Sequence, residues 1–459
     1  MRTHKELYNT LLNATAFAGN KQWDIFFEII KSENYTPSKD VKEDIDITHR
    51  VLKNAAIHAS TEIIERLFKL GFDPKVKSKD GHCPSYVLEG IYNNNEDVVW
   101  VFIKHGADVN QVDSLGCTAL QYAVTHIHHK NTVKKLLDFG ANPNVRDLSS
   151  GVYPIHNASR YHFPDVFVKL VQHGASLDVT DNDGITPLMY FASQLPTFDK
   201  ESSMKIADEI IKRGCDVNQK SKSEKTALHF AASMGFIDCV KFLLKHDALI
   251  DLQDSSGNTA LINATLECHM DIVKLLLQHG ANPDILNGEQ KTALMVAICT
   301  FKSWHHSPYA MLLDLIKGNA DVNVNAKNCL WPDPDPHLPL EVAVKINLPD
   351  VARLLIEGGC DLNVASNWLD SATPKRFIPK LLINDVELFT VLKQYYHTPR
   401  SLADITRLKI RQFLGYKTKS KISQLPLPHP LLEFLNFDEL DELTDMLLEK
   451  YHNTAKKHC

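Results

Sequence analysis

Apolar and polar positions along this chain recur in blocks of about 33 residues, and each block carries two stripes at helical spacing. The first stripe opens on a Thr-led tetrapeptide: Thr118-Ala-Leu-Gln121, Thr186-Pro-Leu-Met189, Thr226-Ala-Leu-His229, Thr259-Ala-Leu-Ile262 and Thr292-Ala-Leu-Met295. Three of these starts, 226, 259 and 292, are 33 residues apart. Weaker copies fill the same slot at Cys83-Pro84-Ser85-Tyr86, Tyr153-Pro154-Ile155-His156 and Leu338-Pro339-Leu340-Glu341. The second stripe follows, as in Val240, Leu243, Leu244 and Val273, Leu276, Leu277, and then a Gly-Ala-Asp-Val-Asn-like turn at 106–110, 140–144, 280–284 and 359–363.

These features predict pairs of short antiparallel helices. A Thr hydroxyl and the fixed φ of Pro suit a helix start, and a Gly just past the second stripe suits a helix end with positive φ. The Asp- and Asn-rich segment then turns back as a hairpin finger. Small residues such as Ala231, Ala232 and Ala264 let neighbouring helices approach closely. His156 and His229 sit at the helix-start slot, where an imidazole ties turns together. No single pair buries its apolar face alone, so stability is a sum over repeats and their neighbours.

The frame extends upstream to 50–56, ahead of Gly71, and to Thr10-Leu-Leu-Asn-Ala-Thr-Ala16 followed by Gly19, for about ten repeats. Residues 371–397 lack the opening motif but keep an apolar pattern through Phe377, Ile378, Leu381, Leu382 and then Val386, Leu388, Phe389, Val391 and Leu392, which reads as a degenerate capping hairpin. The period stretches in two repeats. The surplus around 194–203 is expected to lengthen an inter-helix loop. A second surplus at 301–308 and 329–337 places Trp304, His305, His306 and Trp331 in loops, with Pro332, Pro334 and Pro336 stiffening the finger. Aromatic side chains on loops of a rigid frame are common partner contacts, so Trp304, His305 and Trp331 are the candidate substrate contacts; neutral loops whose rings fold back on the array are the alternative.

Near the C-terminus the pattern changes. In 399–411 and just beyond, Leu402, Ile405, Ile410 and Phe413 recur at helical spacing while Arg407, Lys409 and Arg411 fill the gaps, and Leu425-Pro426-Leu427-Pro428 follows. Both motif and spacing of the upstream blocks resemble ankyrin repeats. The Ser-Leu-x-x-x-Thr-Arg-Leu-x-Ile-Arg stretch with its Leu-Pro-Leu-Pro element is similar to the SOCS box of the ankyrin-repeat and SOCS-box family. That resemblance implies an all-α ankyrin solenoid at 5–370, a capping hairpin at 371–397, a small helical SOCS box at 398–437 and an acidic helical tail at 438–459. It implies elongin C contacts at Leu402, Ile405, Thr406, Arg407 and Ile410, and a cullin-facing turn at Leu425, Pro426, Leu427 and Pro428. Elongin B, elongin C, cullin 5 with its RING subunit and a protein substrate are the implied partners. One position departs from the family, which usually has Cys where this chain has Thr406. A buried hydroxyl without a partner costs about 1–3 kcal/mol.

Composition narrows the picture further. The 459 residues exceed a single core, and the internal period selects a repeat array. Fifty Lys and Arg against 56 Asp and Glu leave a net charge of -6, which offers no general pull toward nucleic acid or an anionic membrane. No apolar run approaches the roughly 20 residues of a membrane span, and the first residues lack the apolar core of a secretory signal. Nine scattered cysteines without a Cys-x-x-Cys suit reduced thiols in the cytoplasm or nucleus.

Catalytic motifs are missing: no phosphate loop, nucleophile elbow, His-Glu-x-x-His or Gly-x-Gly-x-x-Gly occurs. His126-Ile-His128-His129 and His305-His306 have no acid or thiol at ligand spacing to complete a zinc site, so no metal or cofactor is expected. Two readings follow. The chain is either a non-enzymatic substrate receptor of an elongin B/C and cullin 5 ubiquitin ligase, or a non-catalytic ankyrin scaffold whose box has lost its coupling, with Thr406 as the sign of it.

Overall fold

The computed structural model describes residues 9–10, 22–38, 42–76, 85–125, 130–195, 200–300, 309–324, 338–362, 385, 388–390 and 392. Its elements are helices: α1 (Trp23–Ser32), α2 (Lys42–His58), α3 (Thr61–Lys69), α4 (Tyr86–Tyr92), α5 (Glu96–Lys104), α6 (Ala119–Val124), α7 (Lys130–Asp138), α8 (Pro154–Arg160), α9 (Pro164–Gln172), α10 (Pro187–Ala192), α11 (Lys200–Lys212), α12 (Ala227–Met234), α13 (Ile237–Lys245), α14 (Ala260–Leu266), α15 (Met270–Gln278), α16 (Ala293–Thr300), α17 (Tyr309–Lys317), α18 (Pro339–Lys345) and α19 (Pro349–Glu357). From α2 onward they form nine pairs among the described residues, in the all-α repeat arrangement that the periodicity predicts. No strand occurs among the described residues; an isolated antiparallel bridge joins Val112 and Thr118 within one finger.

Five first helices begin where a Thr or Ser side chain caps them. Thr118 and Gln121 form a reciprocal box, in which the Thr118 hydroxyl accepts from the Gln121 amide at 3.3 Å and the Gln121 carbonyl accepts from the Thr118 amide at 2.7 Å. Thr186, Thr259 and Thr292 accept from the amides of Met189, Ile262 and Met295 at 3.2, 3.3 and 3.3 Å. In the repeat with the weak Cys83 copy, the cap is Ser85, which accepts from Leu88 at 3.2 Å. The helix therefore starts two residues later than the Cys83 frame, and Ser85 falls 33 residues before Thr118.

The second helices are uniform. α3, α5, α7, α9, α13, α15, α17 and α19 all have nine residues, whereas α11 has 13. Part of the surplus at 194–203 thus extends α11 instead of lengthening the loop alone. Second helices end on residues with positive φ, such as Gly106 at 93° and Gly280 at 87°; Asp247 at 61° and Asn319 at 71° fill the same place without glycine. Asp and Asn tolerate this left-handed region better than other side chains with a Cβ.

The chain divides into two compact units, Met1–Phe191 with Pro196–Cys215, and Ala192–Leu195 with Asp216–Cys459. In the first unit α4 packs between α2 and α6, α6 packs on α8, and α9 packs between α7 and α11. In the second, α14 packs between α12 and α16, α16 on α18, and α15 between α13 and α17. First helices pack on first helices, and Ala119, Ala123, Ala231, Ala232, Ala264 and Ala297 on them are fully buried. The apolar stripes fill the remaining space: Phe102, Phe167, Val240, Leu243, Val273 and Leu276 have no exposed surface, while Leu244 is half-buried. Burying each such side chain stabilises by about 1.5–3 kcal/mol. Leu388 and Leu392, from the expected capping hairpin, are also fully buried.

Candidate functional site

Fingers and first-helix ends carry the polar chemistry of this molecule. Several fingers leave their helix through a turn in which a side-chain oxygen accepts from the amide two residues on, as Asp108 does from Asn110 at 2.9 Å, Asn142 from Asn144 at 2.9 Å and Asp216 from Asn218 at 2.8 Å. At the tip a second acidic or amide residue gathers the turn. Asp113 accepts from the amides of Leu115 and Cys117 at 2.8 and 2.9 Å, and Asp181 from those of Asp183 and Ile185 at 2.8 Å each. Burial raises the Asp147 carboxyl, but the donors of Ser149, Ser150 and Val152 outweigh it and bring it below the ordinary carboxylate range.

Two imidazoles tie adjacent repeats as the sequence predicts. His156 Nδ1 accepts from the Tyr153 amide at 3.1 Å, which leaves the proton on Nε2, and Nε2 donates to the Val179 carbonyl at 3.2 Å. His229 does the same between the Thr226 amide at 3.1 Å and the Asn258 carbonyl at 3.1 Å. Burial pushes His156 down to about 4 against the opposing pull of the Val179 carbonyl and of Asp181 and Asp147, and it also lowers His229. Both rings are neutral at physiological pH, which makes them architectural.

A ladder runs from finger to finger at the slot occupied by Asn110, Asn144 and Asn218. Asn110 Nδ2 donates to the Gly140 carbonyl at 3.1 Å and its Oδ1 accepts from the Asn142 amide at 2.6 Å. Asn144 bridges Gly174 and Ser176 in the same way at 2.8 and 2.9 Å, and Asn218 bridges Asp247 and Leu249 at 3.2 and 2.7 Å. At Asp251 and Asp284 the slot holds a carboxylate that accepts from Asn282 at 2.9 Å and Asp321 at 2.8 Å. An ionised carboxylate has no N–H to donate. Burial raises both acids, Asp284 to about 6, helped by the Asp321 carboxylate and opposed by the Asp321 amide.

Exposed apolar groups line the finger and first-helix face of the first unit. Leu115 and Leu148, at neighbouring tips joined by a 2.8 Å bond from the Leu148 amide to the Leu115 carbonyl, are 53% and 74% exposed. Tyr92, 66% exposed at the end of α4, meets Tyr122 edge-on at 5.8 Å. Tyr122 donates to Asp113 at 3.1 Å, Tyr190 donates to Asp181 at 2.7 Å, and the Arg160 guanidinium lies 5.9 Å from the Tyr190 ring. Burial and then the Asp113 hydrogen bond push the Tyr122 hydroxyl up to about 12. Tyr122 and Tyr190 are held by hydrogen bonds to their own fingers, and aromatic groups fixed in this way make good contact residues. The sequence offered one signal for them, a Tyr nine residues after the tip Asp at 122 and at 190.

Leu402, Ile405, Thr406, Arg407, Ile410, Leu425, Pro426, Leu427, Pro428, Trp304, His305 and Trp331 lie outside the described residues, as do His126, His128, His129 and His306. Among the described residues no group of three or more His, Cys, Asp or Glu side chains is arranged to hold a metal ion, and no helix is long and apolar enough to cross a membrane. Burial pushes Cys117 up to about 11 and Cys215 up to about 12 and raises Cys239 and Cys268, so these groups stay thiols rather than nucleophilic thiolates.

Comparison with known proteins agrees with this architecture. The family model for ankyrin repeats (3 copies) matches residues 52–147, 155–254, 198–287 and 246–326, more than half of the chain, and that for the SOCS box matches 398–436. Similar proteins include neurogenic locus notch homolog protein 1 of Danio rerio, 34% identical over 197 residues that are 40% of this chain and 8% of that protein. The Homo sapiens protein of the same name is 31% identical over 196 residues, 40% of this chain and 7% of that protein. The putative palmitoyltransferase ZDHHC13 of Danio rerio is 28% identical over 201 residues, 42% of this chain and 29% of that protein. The chain thus spans less than a third of the length of each. The array of paired helices and the box model at its C-terminal side together show that this chain belongs to the ankyrin-repeat and SOCS-box family.

Proposed function

We propose that this chain is the substrate-recognition subunit of a RING ubiquitin ligase built on elongin B, elongin C and cullin 5. One observation carries the reading: a repeat array with a rigid, aromatic-bearing face and a SOCS box match at 398–436 reside on the same chain. The array, at 5–370 with a capping hairpin at 371–397, holds the target. The box, at 398–437, docks on elongin C through Leu402, Ile405, Thr406, Arg407 and Ile410 and presents Leu425, Pro426, Leu427 and Pro428 to cullin 5. Residues 438–459 form an acidic tail.

Both family modules are non-catalytic, and thioester chemistry resides on other subunits. Tethering supplies the rate: a held target meets the charged conjugating enzyme at an effective concentration on the order of mM. No cofactor on this chain enters the chemistry, and the setting is cytoplasmic or nuclear. The notch and palmitoyltransferase relatives share less than half of this chain, so they support the array as a binding frame and lend no activity.

Thr406 favours a second reading, a scaffold uncoupled from the ligase. Recruitment of cullin 5 with its RING subunit by the chain assembled with elongins B and C separates the two. The receptor reading expects recruitment by wild type and at least a tenfold loss when Leu425 and Pro428 are changed to Ala. An elongin-bound wild type that recruits no cullin 5 would leave the scaffold.

A further inference from the structure

Three consecutive first helices of the first unit bring two tyrosines to either side of a cation. Tyr122 on α6, Asn157 on α8 and Tyr190 on α10 each stand four residues after the residue that opens their helix, Thr118, Tyr153 and Thr186. Arg160 lies three residues beyond Asn157 on α8, so the two share a face. Both tyrosines are engaged at the hydroxyl, Tyr122 by Asp113 at 3.1 Å and Tyr190 by Asp181 at 2.7 Å. The Tyr190 ring also meets α8: its centroid is 5.1 Å from that of His156 and 5.9 Å from the Arg160 guanidinium. On the other side α6 packs on α8, and the Tyr122 ring meets that of Tyr92 at 5.8 Å.

Between the two rings the polar groups are unsatisfied. Among the described residues the exposed Arg160 guanidinium has no acidic partner and no hydrogen bond, and the half-buried Asn157 carboxamide makes no hydrogen bond either. A guanidinium is a planar fork of donors that matches a carboxylate, and Arg among tyrosines is the composition of interface hot spots. The unpaired cation selects an anion, and the fingers decide which. Asp147 and Asp181 lie beneath neighbouring tips, and the exposed Asp183 acts by its charge on Tyr190. A doubly charged phosphate is repelled by these acids more than a singly charged carboxylate is. Spacing sets the rest. Packed helices stand about 8–10 Å apart and an extended chain advances about 3.3 Å per residue. A segment laid across α6, α8 and α10 with one side chain at Arg160 therefore places others over Tyr122 and Tyr190 about three residues to either side.

We propose that this face of the first unit binds an extended acidic segment of a protein target. One carboxylate side chain of the segment is received by Arg160 and Asn157, and apolar side chains on either side of it seat on Tyr122 and Tyr190. The flank over Tyr122 also gains the ring of Tyr92, which is 66% exposed. This rests on the receptor reading, for which it names the class of target. The binding itself needs no ligase.

The test selects a random dodecapeptide library, displayed on phage, against the full chain. Wild type is expected to enrich peptides with an acidic residue flanked at that spacing by apolar ones, at least threefold over the unselected library. Arg160→Met, which keeps the length of the side chain and loses its charge, is expected to abolish the acidic enrichment with thermal unfolding of the repeats unchanged. Lys134→Met, which removes an exposed cation from α7, is expected to leave the enrichment as in wild type. In a recovered peptide, exchange of the acid for phosphoserine is expected to weaken binding at least twofold. A pool without acidic enrichment, the same enrichment in Arg160→Met, its loss in Lys134→Met, or a phosphoserine form that binds as tightly or more so would overturn the proposal. Elongin capture is measured on the same preparation: its absence in wild type defeats the receptor reading, while the enrichment still decides the site.

Discussion

The fingers at Asn110 and Asn144 and those at Asp251 and Asp284 occupy the same place in the repeat and hold the next finger differently. At Asn110 and Asn144, as at Asn218, the side-chain amide donates to one backbone group and accepts from another. At Asp251 and Asp284 the carboxylate accepts only, and burial raises its pKa toward a protonated form that regains a donor. The difference teaches that a repeat slot is defined by the backbone groups it must satisfy, and that of two near-isosteric residues able to fill it only the acid responds to pH.

The imidazole ties give the largest effect, and they should be alike in both regions. Replacing His156 or His229 by Ala takes the side-chain partner from the Tyr153 or Thr226 amide and one donor from the Val179 or Asn258 carbonyl, so each is expected to cost about 2–4 kcal/mol, measured by local hydrogen exchange at the flanking first helices. A large cost in one unit and none in the other would break the equivalence of the two arrays.

Acid should then separate the regions. Asp284 binds its proton more tightly when folded, so its ionisation weakens the fold as pH rises from about 4 through about 6. Asp284→Asn is therefore expected to stabilise its repeat by about 2 kcal/mol at pH 7.5, with the gain vanishing below pH 4. His156 has the opposite sign: its folded pKa lies near 4, below the ordinary 6.5, and the stability it contributes is lost as pH falls through that interval. Hydrogen exchange between pH 7 and 4.5 should show the His156 repeat loosening while the Asp284 repeat tightens. The converse exchange, Asn144→Asp, sharpens the comparison, with an expected loss of about 1 kcal/mol at pH 7.5 from the donor to Gly174.

The smallest effect on stability should come at the tips. Leu115→Ala and Leu148→Ala remove exposed side chains and should change unfolding by less than about 0.5 kcal/mol. Their expected consequence is weaker capture of a ubiquitinated target, measured by trapping with the cullin inactive.

Much of this fold was legible because its signals are local. The Thr caps at 118, 186, 259 and 292, the glycine ends and the two imidazole ties each recur at a fixed offset from an apolar stripe, and each was found where periodicity put it. The Cys83 frame slipped by two because Ser85, a good cap, stands beside a Cys-Pro that imitates the Thr-Pro of other repeats. The long α11 was missed since propensity does not say whether inserted Lys200-Glu-Ser-Ser residues join a helix or a loop. The ladder between fingers was invisible for another reason: it joins residues about 30 apart through side chains whose types are common at finger positions. The tyrosines at 92, 122 and 190 have a pattern, but only the fold shows that their fingers hold two of them in place. The family motif at 401–428 needed no structure to be recognised, because its residue types and their spacing coincide with the SOCS box match at 398–436.

The central claim is that the box couples the array to a ligase, and binding of the full chain to purified elongin B and C tests it most directly. Wild type is expected to form a stoichiometric complex at micromolar concentration, with Leu402→Ala weakening it at least tenfold while the repeats keep their hydrogen-exchange protection. A correctly folded wild type that captures no elongin at that concentration would contradict it.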